Sequence, residues 1–353
     1  MSSLMKVDYL IVGQGVAGSC LALKLLKEKK SFRIIDEDKD KASTVAVGVY
    51  NTLVLKRFAQ IWNAKEQLDE MFDYFGSFEK LLHKKFISKI PTYRIIHNEQ
   101  ELVTLQKKAR LPEMKDFLSG EIIKDPNSSF KMPLGFTEIK QTGRIDLKEC
   151  VNSFKDYLIS RDLYEKEKFD FCELKFQNKK ILYKNTVVDK VVFCEGFGVK
   201  DNPYFNYLPV IGVKGEVLKI KTQEILPRGI WKAFNFLMPL DDGICYTAST
   251  YDREDLTCEP TEKGKQEIMD HLKEIYEGEF DILEHTAGIR PTVVDRRPIL
   301  GNHPNHANLF VFNGMGTRGT LLAPQMTTFL YEFMENGKEI PKEANIRRFD
   351  SML

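Results

Sequence analysis

The sequence of 353 residues predicts an α/β protein of two parts, one built on a mostly parallel sheet and the other on a mixed sheet. Three observations predict it. Val7–Lys29 reads as strand, glycine turn and helix. Leu309–Asn336 repeats that order near the other end. Between them, Val210–Thr222 and Phe234–Thr250 have the look of antiparallel strands.

The first unit is Rossmann-like. Val7–Val12 is a short apolar strand, and Gly13-Gln14-Gly15-Val16-Ala17-Gly18 has the spacing G-x-G-x-x-G. Ser19–Lys29 is helical, and a second strand, Phe32–Ile35, ends in Asp36. Gly13 permits the tight turn, Gly15 lets a pyrophosphate reach the backbone, and Gly18 lets the helix pack close to the sheet. The helix N-terminus offers unpaired N–H groups and a positive dipole end to the phosphates. Asp36, 18 residues beyond Gly18, is placed to accept hydrogen bonds from the ribose hydroxyls and would repel a 2′-phosphate. FAD or NAD is therefore favoured over NADP.

Composition narrows the function classes. A net charge of +1 provides no overall basic field for nucleic acid, which leaves only a local patch for such a partner. The six cysteines contain no C-x-x-C, so neither a zinc ribbon nor a redox pair is indicated, and no metal site is expected. There is no signal-peptide pattern and no apolar run long enough to span a bilayer, so a cytoplasmic protein is expected.

After Asp36 the polar loop Glu37–Ala42 leads to Ser43-Thr44-Val45-Ala46-Val47-Gly48, whose small side chains suit a loop pressed against a flat ring or a diphosphate. Leu53–Phe75 has helical spacing, Phe78–Phe136 is mixed, Thr92–Ile96 reads as a strand and Glu99–Arg110 as an amphipathic helix. Gly143-Arg144-Ile145-Asp146-Leu147 opens another helix with Asp146 as N-cap. Phe169–Leu174 and Lys180–Tyr183 read as strands, and Val191–Gly196 as a buried strand ending at Glu195-Gly196. Phe234, Phe236 and Met238 alternate on one strand face, and Lys265–Glu277 is a covering helix. Asn313-Gly314-Met315-Gly316-Thr317-Arg318-Gly319 is the second glycine turn, and a helix follows from Thr320 to Asn336. A helix N-terminus there could stabilise the negative charge of a reduced flavin at its N1–C2=O edge. An NAD dehydrogenase has no evident use for this second turn.

Taken together, these motifs resemble the FAD-dependent oxidoreductase superfamily that includes D-amino acid oxidase, glycine oxidase and sarcosine oxidase. The resemblance rests on Gly13–Gly18 with Asp36, Ser43–Gly48, Gly143–Asp146, Val191–Gly196, Ile289-Arg290-Pro291 with Asp295, Pro298–Gly301 and Gly314–Gly319. The last motif, followed by Ala323-Pro324, is also similar to the FAD domain of the bacterial enzymes that remodel tRNA wobble-uridine side chains.

The resemblance implies a Rossmann-like FAD-binding domain of the GR2 type (residues 1–76, 137–204 and 286–353) and a mixed-sheet substrate domain (residues 77–136 and 205–285). It implies that Gly13, Gly15, Val16, Ala17 and Gly18 line the pyrophosphate, and that Asp36, with Glu37 beside it, holds the ribose. Ser43, Thr44 and Gly48 meet the diphosphate or ribityl chain, and Phe171 or Cys172 offers backbone to adenine. Glu195 and Gly196 close the sheet edge, and Gly314, Met315, Gly316, Thr317, Arg318 and Gly319 cradle the isoalloxazine. The second turn contains no His or Cys, so a non-covalent flavin is expected.

The implied chemistry is oxidation of a C–N bond in an amine or amino acid, with O2 or another electron acceptor. Arg318 first and Arg290 second are the candidates to hold a substrate carboxylate through a bidentate fork, with Tyr246 and Tyr251 as candidate pocket hydroxyls. The alternatives are action on a tRNA uridine side chain and a flavoprotein electron carrier without amine chemistry.

Overall fold

The computed structural model describes residues 4–39, 41–125, 129–177 and 180–352; residue 40 of the polar loop and residues 126–128 of the mixed stretch lie outside them. Met5–Val12 is the centre of the first sheet. It pairs in parallel with Phe32–Asp36 on one side and Thr186–Phe193 on the other. Tyr164–Lys166 extends one edge in parallel, and His306–Asn313 runs parallel to the end of Thr186–Phe193. Leu10, Ile11 and Val12 are all buried, because helices cover one face and an aromatic cluster around Phe169, Phe193 and Phe205 covers the other.

Three of these parallel strands end at one edge, so three turns emerge side by side: Gly13, Cys194–Gly196 and Gly314. Asn313 ties two of them together. Its Nδ2 donates to the Gly196 carbonyl at 2.7 Å, and its Oδ1 accepts from the Gly314 N–H at 2.7 Å. Ligands of open α/β sheets bind at such an edge.

The second sheet has seven strands in the order Phe280–Val293, Val210–Thr222, Ile244–Ala248, Phe236–Pro239, Ile230–Lys232, Thr92–Ile95 and Phe136–Ile139. The helix Glu262–Lys273 covers its outer face through Ile268 and Leu272, packed with Leu218, Trp231 and Leu237. Phe280–Val293 crosses residues 285/286, where the sequence puts a domain boundary, and so joins the two parts. Its Pro291 carbonyl accepts the Gly316 N–H at 3.0 Å, which fastens the second glycine turn to the second sheet.

The helices differ from the sequence reading in instructive ways. The first helix begins at Val16, directly after Gly15, so the second half of the glycine motif forms its first turn. The helix expected over Leu53–Phe75 is instead Ala64–Leu82, preceded by a small hairpin of Leu53–Val54 and Ala59–Gln60. Asn63, at φ 48°, breaks the helical path there. Leu68, Met71, Phe75 and Phe78 then form the buried stripe, each worth about 1.5–3 kcal/mol on burial. Phe171–Glu173 is a single 3-10 turn rather than strand, because the Asp170 side chain caps it by accepting the Cys172 N–H. Ser43 and Thr44 lie in a one-turn helix, Ala42–Val45. The short strand Ile230–Lys232 was not foreseen, and Phe234 sits outside any strand, exposed and stacked on His271. Asp146 caps Leu147–Ser160 as expected, accepting the Glu149 N–H at 3.2 Å.

Candidate active site

The edge of the first sheet and the inner face of the second flank a cavity of about 1040 Å³. That exceeds the roughly 300–1,000 Å³ of a drug-sized site, and it suits an extended cofactor with a small substrate beside it. Both glycine turns line it. Gly13, Gly15, Val16, Ala17, Asp36 and Ser43 form one end, with Glu195 and Gly196; Met315, Gly316, Thr317, Arg318 and Gly319 form another wall.

The glycines show why the motif needs them. A Cβ on Gly18 would lie 2.0 Å from the Gly13 carbonyl oxygen, so only glycine lets the helix approach the turn. Gly13 itself, at φ 96°, would put a Cβ 2.6 Å from the Cys194 oxygen. A Cβ on Gly314 would lie 2.6 Å from Val293 Cγ2, so Gly18 and Gly314 act by packing, and neither is on the cavity wall. Ser43 Oγ accepts the Val16 N–H at 2.9 Å, which places this hydroxyl at the helix N-terminus. Asp36 is held by the N–H groups of Gln14 at 2.6 Å and Asp38 at 2.7 Å, and pairs with Lys41 at 2.8 Å. These residues fit a dinucleotide: a Cβ-free turn for the pyrophosphate and an oriented carboxylate for the ribose. The helix Gly319–Asn336 starts on the same wall with no side-chain cap, so its first N–H groups and dipole end point at whatever fills the cavity.

Glu37, Thr44, Phe171 and Cys172 are not on the cavity wall. Glu37 pairs with Lys39, and the Thr44 hydroxyl donates to the Lys41 carbonyl. Phe171 packs edge-on against Phe169, and the Cys172 N–H is taken by Asp170. Tyr246 also departs from its expected role. It lies on the same strand face as Ala248 but two residues along, about 7 Å away. There it lines a second, smaller cavity under Arg144 (5.6 Å).

Arg290 and Arg318 both line the main cavity. Arg290 Nη2 donates to Ser249 Oγ at 2.8 Å and Nη1 to the Thr250 carbonyl at 3.1 Å, and the guanidinium stacks 4.8 Å from Tyr251. Its flat head lies across Gly215 of the neighbouring strand, where a Cβ would come 1.8 Å from Nη2. Gly215 is thus a positioning residue that sequence reading missed. Gly215→Ala should displace the guanidinium and raise KM for a carboxylate substrate while leaving bound flavin unchanged, a split measurable by steady-state kinetics and absorbance. Neither arginine has a carboxylate partner among the described residues. Burial lowers the pKa of both, which by itself opposes their charge and makes an anionic ligand the natural compensation.

Glu195 is the opposite case. Burial pushes its carboxyl up to about 8, outweighing the hydrogen bond from Asn202 Nδ2 at 2.7 Å. Its Cα is 3.4 Å from the position of a Gly13 Cβ, next to the phosphate turn. At neutral pH it is protonated and adds no charge against a pyrophosphate. Between the ordinary carboxylate range and about 8 the folded chain keeps a proton that the unfolded chain has lost, so stability falls as pH rises through that window. Flavin affinity should likewise fall as pH rises past about 8, and Glu195→Gln should flatten that dependence in a titration of apoprotein with FAD.

Comparison with known proteins decides the class. Residues 8–326 match the family described as FAD dependent oxidoreductase, DAO. The chain belongs to this family. FAD is therefore the cofactor, and the protein is an oxidoreductase. The chain is 28% identical to glycine oxidase of Pseudomonas aeruginosa over 156 residues, 43% of each chain. It is 26% identical over 131 residues to the tRNA 5-methylaminomethyl-2-thiouridine biosynthesis bifunctional protein of Marinobacter nauticus, 33% of this chain and 21% of that one. These matches span less than half the length of either relative. Iminodiacetate oxidase from Chelativorans sp. BNC1 shares the fold, with a TM-score of 0.78 at 17% identity over 96% of this chain and 98% of that one. Among the described residues of this FAD dependent oxidoreductase no helix is long and apolar enough to cross a membrane, and no cluster of metal-ligating side chains occurs.

Proposed function

We propose that this oxidoreductase oxidises the C–N bond of an amine or amino acid that carries a carboxylate. The observation that supports it most is the pair of arginines, Arg290 and Arg318, lining the flavin cavity with no carboxylate of their own. A bidentate guanidinium is suited to a substrate carboxylate, and a fixed carboxylate fixes the C–H next to the nitrogen. FAD, held non-covalently, would supply the two-electron acceptor for a hydride from that carbon, leaving an imine that water hydrolyses to a carbonyl compound and the free amine, with O2 or another acceptor to receive the electrons.

The chain's residues orient and exclude water. Val217, Ala248 and Phe236 roof the cavity with apolar surface, and Tyr251 packs on Arg290. Segments 1–76, 137–204 and 286–353 hold the cofactor in this reading, and 77–136 and 205–285 shape the substrate side. An electron carrier would have no use for so large a cavity. The relatives that are oxidases of glycine and iminodiacetate by name support the same substrate class. The test is anaerobic mixing with a panel of secondary amines and amino acids while the flavin spectrum is recorded. Bleaching by carboxylate-bearing amines supports the proposal; a flavin that no amine reduces refutes it.

The similarity to tRNA-modifying proteins supports a second reading, in which the amine is part of a uridine side chain. Salt-sensitive tRNA binding would favour it.

A further inference from the structure

We propose that Arg94 and Lys232 form a second anion site in the same cavity, and that the substrate is an elongated amine with an acidic group at each end. This rests on the carboxylate-bearing amine proposed above and adds what the far end of that molecule must be.

The parallel pairing of Thr92–Ile95 with Ile230–Lys232 puts Lys232 opposite Arg94. Both line the cavity, as do Thr92 and Ile230 two residues before them, so the pair belongs to the inner face of the sheet. Neighbouring strands are about 4.8 Å apart, and like charges side by side at that spacing repel. Arg94 is 6% exposed and has one carboxylate partner, Glu101 at 2.7 Å. Glu101 is already shared, since its other oxygen accepts the His97 N–H at 3.0 Å. Lys232 donates to the Phe234 carbonyl and has no carboxylate within 4.0 Å among the described residues. Glu274, also on this part of the wall, is exposed and pairs with neither cation. Two cations and one already shared carboxylate leave one positive charge in excess on this part of the wall. Burial and the Arg94 charge lower the Lys232 pKa to about 8, so the ammonium stays charged at neutral pH. An anion would relieve both the repulsion and the desolvation.

The spacing sets the ligand's shape. The Arg290 guanidinium lies over the Val210–Thr222 strand, and Lys232 is three strands farther across the sheet. Three spacings are roughly 14 Å, which the lysine's own reach shortens to on the order of 10 Å. The surface between is apolar, formed by Val217, Ala248 and Phe236. A molecule with an acid, an apolar middle and a second acid matches this order. The distal acid is a carboxylate or a phosphate.

The test uses the FAD-loaded protein and ligands that cannot be oxidised. Linear dicarboxylates of increasing length are compared with monocarboxylates of the same length, by calorimetry and by the shift in flavin absorbance. An ω-phosphonate series identifies the distal acid. Dicarboxylates that reach Lys232 should bind at least about tenfold more tightly than their monocarboxylate partners. Lys232→Gln should erase that gain and leave monocarboxylate binding unchanged, and Lys232→Arg should keep the gain. Equal binding of the two series in the natural protein, or equal losses for both in Lys232→Gln, would overturn the proposal. Because these probes do not react, failure of every amine to reduce the flavin would sink the proposed reaction without altering this result.

Discussion

Gly18→Val is expected to yield a folded but colourless protein, with FAD affinity reduced by more than about a hundredfold, a loss of roughly 3 kcal/mol or more. Even a single Cβ at this position would sit 2.0 Å from the Gly13 carbonyl oxygen. That atom is backbone in a turn fixed by its own φ of 96°, so the side chain cannot rotate away from the clash. The first turn of the helix Val16–Lys27 must shift away from the Gly13 turn, and its N–H groups move away from the pyrophosphate with it. Circular dichroism should show an intact fold, because the shift is confined to that turn while Leu21, Ala22 and Leu25 farther along the helix stay packed in the core. FAD fluorescence quenching measures the affinity. Binding within about threefold of the natural protein would mean that the first glycine turn is not the pyrophosphate site.

Arg290→Met should lower kcat/KM for a carboxylate-bearing amine by about a hundredfold, the scale on which one partner of a buried charge pair is lost. The arginine's shape matters as much as its charge. It reaches Ser249 Oγ, the Thr250 carbonyl and the face of Tyr251 at once, and Gly215 leaves room for the flat head. Lysine could not fill that slot with the same fork, so Arg290→Lys should recover little. An amine without a carboxylate should lose far less in either variant. Equal losses for both substrate types would show that Arg290 supports the fold of the site rather than the substrate.

The parts legible in the sequence were those that local rules dictate. The spacing of Gly13, Gly15 and Gly18, the acid at Asp36 and the second run from Gly314 to Gly319 each specify a backbone geometry that few other residues allow. The buried strands around them were legible because apolar runs bounded by glycine leave little choice. The helix start at Ala64 was missed because Leu53–Trp62 keeps helical spacing while its residues serve a hairpin and a loop. Tyr246 was misplaced because alternation gives the face of a strand but not the position along it. Gly215 beneath Arg290, Asn313 between two turns and Lys232 beside Arg94 were invisible for a common reason. Each depends on a partner far along the chain, and only sheet register brings the pair together.

A crystal structure of the protein with FAD bound would test most directly whether two turns about 300 residues apart along the chain hold one cofactor. The pyrophosphate should lie against Gly13–Val16 and the isoalloxazine against Met315–Gly319, with the Arg290 guanidinium facing the ring. A flavin ring that lies away from the second turn, or one on a surface that Arg290 does not reach, would contradict both the cofactor site and the chemistry built on it.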